Sequence, residues 1–273
     1  MKKIFIALIA LLTLLVACTR KVTVENVKKT STPTLFIHGY SGGKGSFGGM
    51  IDRLETSSIA EKSLVLTVDE NGEIHEVSYA KPTQNNPLVQ ILFQNNKSDE
   101  FSQAQWIENA LLFLKEKYKV EKVNLVGHSM GGVSSLRLLL TSTENHSLPT
   151  VEKFVAIASP FNSFVDLSPN ETIQNVLNQG PMEKSQRYLE YESQMQNISP
   201  TIKTLFIAGD KNDDTAGDGA VPLADALSMV HLFKQNGNPT NEKIFTGGNA
   251  QHSKLHENTA VDKLVAEFLW SDN

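Results

Sequence analysis

Val123-Asn124-Leu125-Val126-Gly127-His128-Ser129-Met130-Gly131-Gly132 joins an apolar tract to a helix-patterned one through a G-x-S-x-G pentapeptide. Ahead of the pentapeptide, Val123, Leu125 and Val126 have the character of a buried parallel strand; behind it, Val133, Leu136, Leu138, Leu139 and Leu140 suit a helix packed on that strand. A serine on so tight a strand-to-helix turn has its hydroxyl held above the sheet, and neighbouring backbone crowds it unless Gly127 and Gly131 bring no side chains. Ser129 therefore reads as a nucleophile. The surrounding pattern predicts an α/β protein with a mostly parallel central sheet and helices on both faces.

The chain has 273 residues, 40% hydrophobic and 20% charged, with a formal net charge of −5. That length buries one substantial core. Scattered basic residues under a negative balance exclude a nucleic-acid partner. Met1-Lys2-Lys3 followed by the apolar run from Ile4 to Val16 has the build of a secretory signal and is short for a membrane span. It ends in Leu15-Val16-Ala17-Cys18, which resembles the lipobox of bacterial lipoproteins. The resemblance implies removal of residues 1–17, a diacylglycerol thioether on Cys18 and a protein held on the extracellular face of the cell membrane. Cys18 is the single cysteine, so no internal disulfide can form. Residues 18–32 read as a tether, and residues 33–273 as the domain.

Within the domain, Thr34–Ile37 is an apolar strand leading into His38-Gly39-Tyr40-Ser41-Gly42-Gly43. His38 itself reads as a buried strand-end histidine bonded to backbone. Gly43-Lys44-Gly45-Ser46-Phe47-Gly48 fits G-x-G-x-x-G, with Asp69 where a ribose-binding acid would stand. The first glycine, however, trails its strand by a flexible tract, and Asp69-Glu70-Asn71-Gly72 is better used as the turn of a hairpin joining residues 64–68 to 73–79. A strand at Pro87–Phe93 and a helix over residues 98–118, capped by Ser98, come next. After a strand at residues 154–158, residues 161–199 turn rich in Asn, Gln, Ser and Glu and read as an inserted cap. Its apolar residues, among them Phe164, Val176, Met182, Tyr188, Leu189 and Met195, are expected to roof a pocket. The chain closes with a strand at 205–208, a helix over 224–234, a strand at 243–245 and a helix at Thr259–Trp270.

A serine hydroxyl needs a histidine to take its proton and an acid to orient that histidine. Downstream of Ser129, Asp210, Asp213, Asp214 and Asp218 share one loop, and His252 and His256 follow residues 243–245. The acidic loop matches EF-hand positions at Asp210, Asn212 and Asp214, but Thr215 stands where glycine is needed and Val221 where a bidentate glutamate is needed, so no metal is assigned to it.

His38-Gly39, Gly127-His128-Ser129-Met130-Gly131, Asp218 with Val221-Pro222, and His252-Ser253-Lys254-Leu255 together resemble the α/β-hydrolase superfamily. HGYSGG, GHSMGG, ASPFN and AQHSKLHEN look more narrowly like a group of Gram-positive cell-surface hydrolases. The resemblance implies a carboxylic-ester hydrolase, or a lipase or acyltransferase, working without a cofactor on a small-molecule or lipid ester. It implies Ser129 as nucleophile, Asp218 as acid and His252 as base, with Asp210 and His256 as fallbacks. The oxyanion donors would be the backbone amides of Tyr40 and Met130. A surface binding protein without catalysis is the reading outside the enzyme class.

Overall fold

The computed structural model describes residues 21–141, 147–213 and 215–271, so Cys18, the segment 1–20 and Asp214 lie outside the described residues. The apolar tracts pair as β1 (Thr34–Ile37), β2 (Glu61–Val68), β3 (Ile74–Ser78), β4 (Pro87–Phe93), β5 (Lys122–His128), β6 (Thr150–Ile157), β7 (Lys203–Asp210) and β8 (Thr240–Thr246). They form one sheet in the order β3-β2-β4-β1-β5-β6-β7-β8, parallel throughout except for the β2–β3 hairpin. In that hairpin Asp69 Oδ1 accepts from the amides of Asn71 and Glu73, both at 2.9 Å, so the aspartate is spent on the turn. The Gly43–Gly48 run caps and opens helix α1 (Lys44–Thr56).

Strand side chains alternate between two cores, as a sheet covered on both faces requires. Leu35, Ile37, Leu125, Phe154 and Ala156 enter one, against α2 (Glu100–Tyr118) and α3 (Met130–Thr141). Phe36, Val126, Val155 and Ile157 enter the other, against α1 and the C-terminal helix Thr259–Trp270. Each such fully buried side chain contributes roughly 1.5–3 kcal/mol. Among the described residues no helix is long and apolar enough to cross a membrane.

Four local expectations are corrected. Helix α2 is capped by Asp99, whose Oδ1 accepts from the Ser102 amide at 2.8 Å, and not by Ser98, whose buried hydroxyl has no partner among the described residues. The cap insertion carries α4 (Ile173–Gln179) and α5 (Gln186–Gln194), but Tyr188, Tyr191 and Met195 point into the main core, while Phe164, Met182 and Leu189 are exposed. Its apolar residues thus fasten the insertion to the sheet layer. Residues 224–234 split into α6 (Leu223–Leu227) and α7 (Val230–Gln235), because the Ser228 amide and hydroxyl both turn back to the Asp225 carbonyl, at 3.1 and 2.8 Å. Helix α8 follows at Thr259–Trp270.

The fourth concerns the tether. Residues 21–32 lie against the domain: Val22 is buried with the α1 and α8 core, and its amide bonds Ser57 Oγ at 2.9 Å. Buried Asn86, in the left-handed backbone region that asparagine tolerates, clamps the segment further on. Its Oδ1 accepts from the Thr30 amide at 2.7 Å, and its Nδ2 donates to the carbonyls of Lys28 at 2.8 Å and Ile59 at 3.0 Å. Asn86→Ala leaves these groups unpaired and should cost about 2–3 kcal/mol. Urea unfolding measures the loss, and limited proteolysis should cut residues 21–32 faster than in the wild type.

Candidate active site

In parallel α/β sheets the loops at the carboxyl ends of the strands gather at one edge, and four of them meet here. At the end of β5, Ser129 adopts φ 54°, the left-handed region, with its amide donating to the Ile157 carbonyl at 2.8 Å. A Cβ on Gly127 would strike the Gly131–Gly132 backbone, and one on Gly131 would strike the carbonyls of Ile37 and His38. The steric demand read from the pentapeptide is met. The HGYSGG loop after β1 abuts the serine, since a Cβ on Gly39 would stand 2.8 Å from Ser129 Cβ. Tyr40 is on this loop and exposed, and Met130 opens α3 half-buried. His38 is buried at the strand end, with Nδ1 2.8 Å from the Gly39 carbonyl and Nε2 accepting from the Phe93 amide at 3.1 Å.

The loop after β7 delivers Asp218, buried, and the loop after β8 delivers His252, partly open to solvent. Their side chains meet, His252 Nδ1 to Asp218 Oδ2, at 2.7 Å. Asp218 Oδ1 accepts from the amides of Ala220 at 2.8 Å and Val221 at 2.7 Å, which fixes the carboxylate plane. The His252 amide in turn donates to the Asp218 carbonyl at 3.0 Å, so the two residues are tied through both backbone and side chain. The spacing of Asp218 from Val221-Pro222 now has a physical meaning, because the two amides come from the two residues that precede the proline. Asp210 stays at the strand end and caps its own loop through the Asn212 amide at 2.8 Å. His256 is buried one turn beyond His252 and pairs with Glu257 Oε1 at 3.3 Å. The structure brings neither fallback to the Asp218–His252 pair.

His128 of the pentapeptide holds the His252 loop in place. Its Nε2 lies 3.1 Å from the His252 carbonyl and, since a carbonyl only accepts, donates to it. Its ring stands 4.6 Å from that of His252 and 4.8 Å from that of His256. Burial, followed by the nearby histidines, drives its pKa well below the ordinary histidine value, which keeps the ring neutral. From the other side Arg53 of α1 grips the same segment through the His256 carbonyl at 3.1 Å and Glu257 at 3.0 Å, and is itself held by buried Asp262.

A pocket of about 330 Å³ opens beside Met130, between α2, α3 and the insertion. Its walls are charged. Buried Glu100 binds Arg137 at 2.5 Å and Arg187 at 2.6 Å, while Glu190 lies 3.5 Å from Arg137 and exposed Phe101 stacks on that guanidinium at 3.9 Å. This network escaped the sequence reading. Its one local signal is Arg137 between Leu136 and Leu138 in an otherwise apolar helix.

The buried histidines give the site an acid limit. Burial lowers the pKa of His128, His38 and His256, so below about pH 6.5 the unfolded chain takes up protons that the folded chain refuses. Each such group costs up to about 1.4 kcal/mol of stability per pH unit until its folded pKa is reached. His128→Gln should therefore flatten the fall of Tm between pH 7 and pH 5 relative to wild type; parallel Tm curves would show that His128 does not resist protonation.

No curated protein matches the chain. Among solved structures, a Listeria innocua gene product is 27% identical, with TM-score 0.79 over 89% of this chain and 95% of that one. A Lactobacillus plantarum protein described as a cell surface hydrolase is 21% identical, with TM-score 0.67 over 87% and 89%. A Bacillus licheniformis lipase shares the fold at 15% identity and TM-score 0.52, over 91% and 96%. Residues 21–272 match the DUF915 family, described as alpha/beta hydrolases of unknown function, and with the elbow, the sheet order and this match together, the chain belongs to that family of α/β hydrolases.

Proposed function

We propose that the protein is a serine carboxylesterase for esters of short or polar acyl groups, working through an acyl-enzyme on Ser129. The observation that carries this reading is the 2.7 Å pair of His252 with buried Asp218, bonded through the His252 carbonyl to His128, the residue before the serine. Ser129 Oγ adds to the ester carbonyl carbon as His252 Nε2 takes its proton. The oxyanion is met by the amides of Tyr40 and Met130. Collapse breaks the bond to the alcohol, which leaves with the proton from His252. Water, deprotonated by the same nitrogen, then adds to the acyl-serine and returns Ser129 and a free acid. Asp218 accepts from Nδ1–H throughout and stabilises the imidazolium.

Acyl length follows from the pocket beside Met130. Arg137, Arg187, Glu100 and Glu190 interrupt the apolar surface that Phe101 and Met130 offer, so a long chain finds little continuous wall along which to bury its methylenes at about 0.8 kcal/mol each. We further propose that Cys18 carries the lipid anchor, which takes two or more acyl chains to hold a protein stably at a membrane; Cys18→Ser should release it to the soluble fraction.

A fluorophosphonate probe should label the wild type and fail on Ser129→Ala; labelling of that variant would contradict the assignment. Asp218→Asn should lower kcat roughly 10³–10⁴-fold, by loss of the imidazole's orientation, whereas Asp210→Asn should leave it within about twofold. Along a p-nitrophenyl acetate-to-palmitate series, kcat/KM should fall with chain length; rising activity on the long chains at an interface would make the protein a lipase.

A further inference from the structure

Because the strands run parallel, the end that carries Ser129, Asp218 and His252 has an opposite, where the returning helices α1 and α8 finish. The N-terminal segment arrives at that opposite end. The Val22 amide binds Ser57, just past α1; the Lys28 amide binds the carbonyl of Trp270, the last residue of α8, at 2.8 Å; and Ser271 Oγ binds the Glu25 carbonyl at 3.2 Å. Helix α8, at 12 residues, holds the two ends about 18 Å apart. From Cys18 to Lys21 the chain can reach at most about 11 Å.

A cleft of about 720 Å³ lies at the same end, between the β8 edge and α8, with Ser271 on its rim. Leu264 and Phe268 form part of its floor, and Lys153, Lys203, Lys234 and Lys243 line it against two glutamates, in a chain whose net charge is −5. Lys234 is paired with Glu242 at 3.1 Å, the second glutamate, Glu267, with Lys263 at 3.6 Å, and Lys153 binds the carbonyls of Phe268 and Leu269. Lys203 and Lys243 are exposed and have no ion-pair partner among the described residues. Uncompensated cations over an apolar floor match the phosphate and upper acyl region of a lipid headgroup.

We propose that this cleft docks anionic phospholipid headgroups of the membrane that holds the anchor, turning the Ser129 end away from the bilayer. The orientation rests on the lipid-anchor reading of Cys18; the cleft's affinity does not. Docked in this way, the protein presents its site to esters outside the membrane, consistent with the charged pocket beside Met130.

The test uses the chain from residue 19 onward, without lipid; every described strand and helix and both cores lie within it. Its sedimentation with vesicles of phosphatidylglycerol and phosphatidylcholine is compared with phosphatidylcholine alone. Binding should require phosphatidylglycerol and weaken about 25-fold or more in Lys203→Glu/Lys243→Glu, at roughly fivefold per lysine, with p-nitrophenyl acetate hydrolysis unchanged as a check on folding. Equal binding to neutral vesicles, no binding, or a double variant that binds as the wild type would each overturn the proposal. In the full chain, palmitate labelling of Cys18 reads the anchor separately: an unlabelled Cys18 with phosphatidylglycerol binding intact would sink the anchor reading alone. In the anchored protein, a fluorophore at Asn241→Cys, an exposed position on the cleft, should be quenched by a bilayer-phase quencher several-fold more than one at Asn249→Cys; equal quenching would contradict the orientation.

Discussion

A serine in the left-handed backbone region, wedged between a strand end and a helix start, is tolerated only where surrounding structure holds it there. In this molecule that hold comes from three directions at once. The Ser129 amide is bound by the end of β6, through the Ile157 carbonyl; the carbonyls of Ile37 and His38 press on Gly131; and the first turn of α3 closes on Gly127. Two of these contacts come from the strands on either side of β5, and so the order β1-β5-β6 at the centre of the sheet is what makes the elbow possible. The same order sends the loops of β7 and β8 to the same edge, with Asp218 and His252 on them.

The His252 loop is held from several sides. His252 is fixed by Asp218 on its ring and on its amide, by His128 on its carbonyl, and through the following turn by Arg53, which reaches across from α1. His128 can play this part because burial keeps it neutral: a protonated ring there would face two other imidazoles at under 5 Å. A histidine in the pentapeptide is thus tied to the residue 124 positions later, coupling the elbow to the His252 loop.

Sheet, elbow and the Asp218–His252 pair were legible because each is written locally. Strand composition announces a parallel sheet, two glycines announce a turn without room, and the resemblance of Asp218 with Val221-Pro222 to a family pattern singles out the aspartate that the structure pairs with His252. What escaped was non-local. Asn86 binds Thr30 and Lys28 across more than fifty residues, and no feature of Thr19–Thr32 as a string betrays that its later part packs on the domain. Glu100, Arg137, Arg187 and Glu190 come from two helices and the insertion, and only the fold reveals that they neutralise one another beside Met130. Ser98 and Asp99 are both good caps, and a shift of one residue in helix phase decided between them.

The account stands on a covalent intermediate at Ser129. Protein mixed with p-nitrophenyl acetate, quenched in acid within the first turnover and mapped by mass spectrometry, should carry one acetyl group, on the peptide containing Ser129. Nitrophenol release with no acetylated peptide, or acetylation confined to a different residue, would contradict it.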